Sequence, residues 1–179
     1  MENIQLLGTH NTHGLKWDKN TSEIIKKVNG RLQLLRKASE YTSVIEDLEV
    51  IYNSYILSIL EQSSVIWGSS ITDENDNDLE RVQKNALRII FKENYKSYEQ
   101  SLEEINMVSL KERREKQALK FANNCLKKEQ TKDLFKLRIT EHPMRIRNQL
   151  KYEEIKSNTE RMRKSTVPYL QSLLNRVQK

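Results

Sequence analysis

The sequence predicts a mainly α protein: a helical bundle with a short N-terminal β-hairpin and a basic C-terminal tail. Four Gly and two Pro in 179 residues are too few for the frequent turns of a sheet-rich fold. Apolar residues recur at helical intervals along most of the chain instead. We therefore divide the sequence into a hairpin at 1–17, a helical domain at 18–136 and a basic tail at 137–179.

The N-terminal segment is the one region that predicts strands. In "IQLLGTHNTHGLKW" (4–17) an apolar run ends at Leu7, and Leu15 and Trp17 alternate with polar residues after Gly14. This pattern predicts a β-hairpin that turns near Gly14. A lone hairpin is marginally stable in water, so we expect it to be the edge of a larger β-sheet.

Two helical stretches follow the hairpin. Asn20 and Glu23 have the spacing of a capping box, which predicts a helix at about 21–39 with Ile24, Val28, Leu32 and Leu35 on its apolar face. The stretch 43–67 is the most apolar of the chain and predicts the central core helix. Its apolar face comprises Val44, Leu48, Ile51, Tyr52, Tyr55, Ile56, Ile59 and Leu60.

The next segments alternate between loops and helices. We expect an acidic loop at 72–78, "TDENDND", and then a helix at 78–91 whose apolar stripe contains Leu79, Val82, Ala86 and Ile90. A short helix is predicted near 97–105, and Ser109 with Glu112 forms a second capping box. Beyond residue 136 the pattern predicts an extended or partly disordered basic tail that closes with a short helix at 167–177.

The charge of the chain is unevenly distributed. Residues 1–108 contain 12 Lys and Arg against 17 Asp and Glu, whereas residues 109–179 contain 19 against 8. Such asymmetry is typical of a protein whose basic part binds a polyanion, most often a nucleic acid. The alternative is a solvated surface that only keeps the protein soluble.

The helix predicted at "SLKERREKQALKFANNCLKK" (109–128) separates two faces. One face is apolar, with Leu110, Ala118, Phe121, Ala122 and Cys125. The other is cationic and comprises Arg113, Lys116, Lys120 and Lys127. The four cations fall within about 60° of each other and form a row about 20 Å long. We predict that this row contacts a phosphate backbone.

Arg114 projects toward the apolar face of the same helix. A buried guanidinium needs a carboxylate or several carbonyl groups as partners. We therefore predict a structural ion pair between Arg114 and Glu61, with Glu104 as the alternative partner.

Other classes of protein are disfavoured by the sequence. We expect no membrane span or leader peptide, because no apolar run is long enough. The single cysteine, Cys125, suggests a reducing compartment, either nucleus or cytoplasm. We expect no metal site, since the acids at 73–78 suit a helix start and His10, His13 and His142 are not spaced as ligands.

Taken in order, five segments resemble the end of a reverse transcriptase of the non-LTR, jockey-like retrotransposons. The segments are "LLGTHNTHGLKW" (6–17), "YILSILEQSSVIWG" (55–68), "LERVQKNALRII" (79–90), "SLKERREKQALKFANNCLK" (109–127) and "TERMRKSTVPYLQSLLN" (159–175). Thr12 stands where that family usually has Asp. The resemblance covers residues 6–175.

The resemblance implies specific roles for the predicted segments. Residues 1–17 would be the last hairpin of a polymerase palm, 18–136 the thumb that lies along an RNA or RNA–DNA duplex, and 137–179 a C-terminal extension. The Mg²⁺ ions of the family are held by palm aspartates in an F/Y-x-D-D turn, which this sequence lacks. We therefore expect no cofactor here and no catalytic residue.

Two other interpretations stay open on the sequence alone. The chain could be a helical protein–protein interaction module, with a separate palm domain as the partner of its hairpin. It could also be a truncated copy of an active RNA-directed DNA polymerase.

Overall fold

The computed structural model describes residues 3–6, 8–12, 16–137 and 151–177, and the mainly α prediction is confirmed. Two short strands precede a series of helices. The strands are β1 (Asn3–Leu6) and β2 (Thr9–Thr12), and the helices are α1 (Asp18–Tyr41), α2 (Ile45–Ile51), α3 (Ser58–Leu60), α4 (Ser64–Trp67), α5 (Asp73–Phe91), α6 (Tyr98–Glu104), α7 (Leu110–Lys127), α8 (Glu160–Lys164) and α9 (Thr166–Val177). Within the described residues, no helix is both long and apolar enough to cross a membrane.

The chain forms two compact units. The first comprises Met1–Ser64 and Ile71–Arg114, and the second comprises Val65–Ser70 and Glu115–Lys179. The division falls inside α7, so it differs from the three segments predicted from the sequence. The charge follows this division: the second unit carries 16 Lys and Arg against 7 Asp and Glu, whereas the first carries 15 against 18.

The N-terminal hairpin is present, but its turn is not where the sequence predicted it. Strands β1 and β2 pair antiparallel with Leu6 opposite Thr9, so Gly8 and not Gly14 belongs to the turn. Gly8 has φ 81°, and a Cβ there would lie 2.5 Å from the Gln62 amide nitrogen. The positive φ therefore favours Gly at this turn, whereas the Gln62 side chain could move away from a Cβ. Residues 13–15 lie outside the described residues, and Trp17 is a buried residue before α1 rather than part of a strand.

Helix α1 begins earlier than its predicted cap. Asn20 is buried inside the first turn, where its Oδ1 accepts a hydrogen bond from the His10 backbone N–H at 3.1 Å. Asn20 therefore ties β2 to α1 and does not cap the helix. The predicted apolar face of α1 is confirmed, since Ile24, Val28, Leu32 and Leu35 are all buried.

The predicted central helix is interrupted by a π-helical turn at Tyr52–Leu57, between α2 and α3. Leu48, Tyr52, Ile56 and Leu60 are buried as expected. Val44 and Tyr55 are about half exposed, contrary to the prediction. Tyr55 lies inside the π-helical turn, where the wider turn changes the angle between successive side chains. Val44 precedes α2 as its N-cap residue, so helical spacing does not apply to it.

Helix α5 also begins earlier than predicted. The acids at 73–78 lie in its first turns rather than in a loop, and Thr72 is the N-cap, accepting from the Asn75 N–H at 3.2 Å. Acidic side chains are stabilising at this end of a helix because they complement its dipole. The apolar stripe of α5 is confirmed, with Leu79, Val82, Ala86 and Ile90 buried.

The end of α6 positions the start of α7. Asn106 has φ 51°, its N–H donates to Glu103 O at 3.1 Å, and the Met107 N–H donates to Leu102 O at 2.8 Å. These two bonds form a Schellman motif, which satisfies the last carbonyl groups of α6. The chain then turns into α7, where Ser109 Oγ accepts from the Glu112 N–H at 3.2 Å, as the predicted capping box requires.

The second unit corrects the prediction of a tail at 137–179. Residues beyond 150 contribute to a core with α7, instead of extending into solvent. This core contains Ala118, Ala122, Cys125, Phe135, Tyr152, Leu170, Leu173 and Leu174. The closing helix α9 is where the sequence predicted a short helix, but it is a core element. Residues 138–150 of the predicted tail lie outside the described residues.

Two buried amide side chains of α9 hold the returning chain in place. Asn175 Oδ1 accepts from the Tyr152 N–H at 2.9 Å, and its Nδ2 donates to Tyr152 O at 3.1 Å. Gln171 does the same for neighbouring segments, since its Oε1 accepts from the Ile155 N–H at 3.1 Å and its Nε2 donates to Leu134 O at 2.9 Å. Irregular backbone in a core needs such partners.

Candidate nucleic-acid interface

The buried side of α7 in the second unit is made of small residues. Ala118, Ala122 and Cys125 are at most 6% exposed and pack on the core of that unit. Phe121 was predicted on this face but is 45% exposed. The reason is that Leu119 and Leu126 also pack on the core, which moves the centre of the buried stripe away from Phe121.

Three of the four predicted cations lie on the exposed side of α7. Lys116, Lys120 and Lys127 are all exposed, and we call them the lysine row. At 100° per residue they lie within about 40° of each other and roughly opposite Ala118. The row extends over about 17 Å of helix, given a rise of 1.5 Å per residue.

Arg113, the fourth predicted cation, belongs to an ion pair of the first unit. Its Nε donates to Glu61 Oε1, and both side chains are partly buried, at 31% and 18% exposed. The pair belongs to the first unit, where Arg113 and Glu61 line a polar pocket of about 430 Å³ with the π-helical turn. The predicted phosphate contact of Arg113 therefore has to compete with a carboxylate already in place.

Arg114 is buried and ion-paired, as predicted, but the predicted partner, Glu61, is wrong. Its guanidinium donates to Asp76 Oδ1, while Glu61 pairs with Arg113 and Glu104 is exposed. Burial raises the pKa of Asp76 above its ordinary value, and the positive charges of Arg114 and Lys111 oppose that shift. The sequence did not point to Asp76 because the whole acidic run suits helix capping.

A second network that the sequence did not reveal anchors the start of α7. Glu80 of α5 accepts from the Lys111 backbone N–H at 2.8 Å and from the Tyr98 hydroxyl, which also lies 2.7 Å from Gln83 Oε1. Burial, followed by the hydrogen bond to Glu80 and the charge of Glu80, raises the pKa of Tyr98. These contacts join α5 and α6 to the first residues of α7, so they hold the first turn of α7 in place within the first unit.

The chemistry available at the lysine row is non-covalent binding of anions. The described residues contain no group of three or more His, Cys, Asp or Glu side chains that could hold a metal ion. Ammonium groups on a helix surface neutralise phosphates as point charges.

No protein-family model, curated protein or solved structure matches this chain. The function therefore has to be inferred from the lysine row, the charge of the two units and the sequence pattern.

Proposed function

We propose that the second unit binds the phosphate backbone of an RNA or RNA–DNA duplex through the lysine row. The observation that carries the proposal is the division of α7 into two sides. One side packs on the core with Ala118, Ala122 and Cys125, and the other presents three exposed lysines. A helix fixed in this way holds the backbone of the three lysines at constant spacing, so less backbone freedom is lost on binding.

The charge of the whole unit supports the same proposal. An excess of nine positive formal charges in the second unit, 16 against 7, attracts a polyanion before any contact forms. The first unit has a small negative excess, so the attraction is directed at one part of the chain. Contacts of this kind position a protein on a duplex without reading its sequence.

The proposed role is that of a thumb-like region of a reverse transcriptase of the non-LTR retrotransposon kind, which binds a duplex and supplies no catalytic group itself. Five sequence segments support this assignment, in the family's order. The Mg²⁺-dependent chemistry of that family depends on paired aspartates, and this sequence contains no two consecutive aspartates. The proposal is therefore confined to binding.

The test compares two variants with the same change in charge. The row variant replaces Lys116, Lys120 and Lys127 with Gln. The control variant replaces three exposed lysines of α1 in the first unit, Lys26, Lys27 and Lys37, with Gln. At low salt, fluorescence anisotropy with an RNA–DNA duplex should show binding at least about tenfold weaker for the row variant only.

Equal binding by the two variants would show that the lysine row is a solubilising surface. Circular dichroism checks that both variants fold. Gln is nearly as good a helix former as Lys, so neither variant should lose helix content.

A further inference from the structure

We infer that a groove in the second unit takes an unpaired nucleotide of a strand that leaves the bound duplex, an inference that rests on the proposed function. The groove has a volume of about 480 Å³, within the range of small-ligand sites. The apolar residues that line it are Leu126, Phe135, Leu137 and Tyr152, and we call them the floor. The polar residues that line it are Lys132, Asp133, Lys136 and Lys151, and we call them the rim.

The floor of the groove is fixed by backbone contacts. Leu137 and Tyr152 form an antiparallel bridge, and the Glu153 N–H donates to Lys136 O at 2.9 Å. Asn175 holds the backbone of Tyr152 on its other side. Because Phe135 and Tyr152 belong to the core of the unit, the groove does not have to be formed by a ligand.

The rim of the groove is cationic. Among the described residues that line the groove there are three lysines and one aspartate, and Lys132 is partly neutralised by Glu129. The Lys151 ammonium lies 5.7 Å from the centre of the Tyr152 ring, so a cation already sits beside the aromatic surface. The remaining charge of Lys136 and Lys151 favours an anionic ligand.

A nucleotide fits this combination better than an acidic peptide. Its base covers apolar surface, such as that of Leu137, which is 59% exposed, while its phosphate meets the lysines. An acidic peptide would meet the lysines but leave that apolar surface in water. The position also fits, because Leu126 of the groove directly precedes Lys127, the last residue of the lysine row.

The test measures the binding of two RNA–DNA duplexes by fluorescence anisotropy, one blunt and one with an overhang of about four unpaired nucleotides. We expect the overhang to tighten binding by about tenfold. The groove variant, Lys136→Gln with Lys151→Gln, should lose this gain and keep its affinity for the blunt duplex. A control variant, Lys156→Gln with Arg161→Gln, removes two exposed cations outside the groove and should keep the gain.

A second groove variant, Leu137→Ser, tests the floor without removing charge, and it should also lose the gain. The inference is overturned if the overhang does not tighten binding, or if both groove variants keep the gain in affinity. In either case, binding of the blunt duplex would still support the lysine row. If an oligoglutamate peptide competes with the duplex and the overhang gives no gain in affinity, the groove is assigned to a protein partner. This result would also overturn the inference.

If the blunt duplex does not bind, the proposed function fails. The groove is then tested by measuring the binding of a single-stranded oligonucleotide. Binding that the groove variants lose would support the groove, and absence of binding would overturn it.

Discussion

Replacing Asp76 with Ala should destabilise the first unit by about 3 kcal/mol. The Arg114 side chain is 7% exposed and its carboxylate partner on Asp76 is 17% exposed. Breaking a buried ion pair by removing one partner costs about 3–5 kcal/mol, because the other charge stays in a poorly solvated site. We expect the lower end of this range, since Asp76 retains some contact with water.

The matched control is Asp78→Ala in the same helix. Asp78 pairs with Arg81 at 2.8 Å, but these side chains are 36% and 71% exposed. An exposed pair contributes about 0.2–1 kcal/mol, so its loss should be much smaller. Replacing both buried partners, as Asp76→Leu with Arg114→Met, should recover most of the stability, because an apolar pair of similar size removes both charges.

The two tryptophans make the assay specific for each unit. Trp17 is buried in the first unit and Trp67 in the second, and the chain has no others. Urea unfolding followed by fluorescence in a Trp67→Phe background therefore reports the first unit. A loss below about 1 kcal/mol for Asp76→Ala would place the pair in the class of surface salt bridges and refute the reasoning.

Three further predictions test other parts of the account. Burial raises the pKa of Tyr52, so the folded protein keeps a proton that the unfolded chain releases above a pH of about 10. In alkaline unfolding experiments, the free energy of unfolding should therefore fall by up to about 1.4 kcal/mol per pH unit more than that of the Tyr52→Phe variant. Asn175→Ala leaves the buried N–H and C=O of Tyr152 without their side-chain partner. It should lower the stability reported by Trp67 in a Trp17→Phe background by about 2–3 kcal/mol, and an unchanged midpoint would refute the stabilising role of these two hydrogen bonds. On a primed RNA template with Mg²⁺ and nucleotides, the chain should give no primer extension above a no-protein control, and extension would contradict a role confined to binding.

Helical periodicity predicted the parts of the fold where one face is buried along a whole helix. The apolar stripes of α1 and α5 and the burial of Arg114 follow from a 100° angle per residue. The same rule failed at Tyr55 and Phe121. At Tyr55 a π-helical turn changes the angle, and at Phe121 the buried stripe is displaced by Leu119 and Leu126.

The second unit was the part that the sequence described least well. Its core combines α7 and α9 with single apolar residues from irregular segments, such as Phe135 and Tyr152. Isolated apolar residues carry no periodicity, so the pattern after residue 136 suggested a tail. The available signal was in α9 itself. Gln171 and Asn175 are four residues apart and adjoin Leu170 and Leu174, so two amides lie beside an apolar stripe of one helix.

The exposure of three cations of α7 followed from the sequence, but the partners of Arg113 and Arg114 did not. Side-chain direction along α7 follows from the sequence, and Lys116, Lys120 and Lys127 are exposed as that direction requires. Which carboxylates approach Arg113 and Arg114 depends on the packing of distant segments. The exchange of Glu61 for Asp76 as the partner of Arg114 is a tertiary effect that no local pattern contains.

The salt dependence of duplex binding tests the central claim most directly. If the lysine row neutralises three phosphates, the slope of log K against log[salt] should be less steep by about 2.7 in the row variant. Raising the salt concentration about fourfold should then weaken binding of the unmodified protein about 40-fold more than binding of the row variant. An equal slope for the two proteins, with helix content intact, would contradict the claim that α7 binds the phosphate backbone.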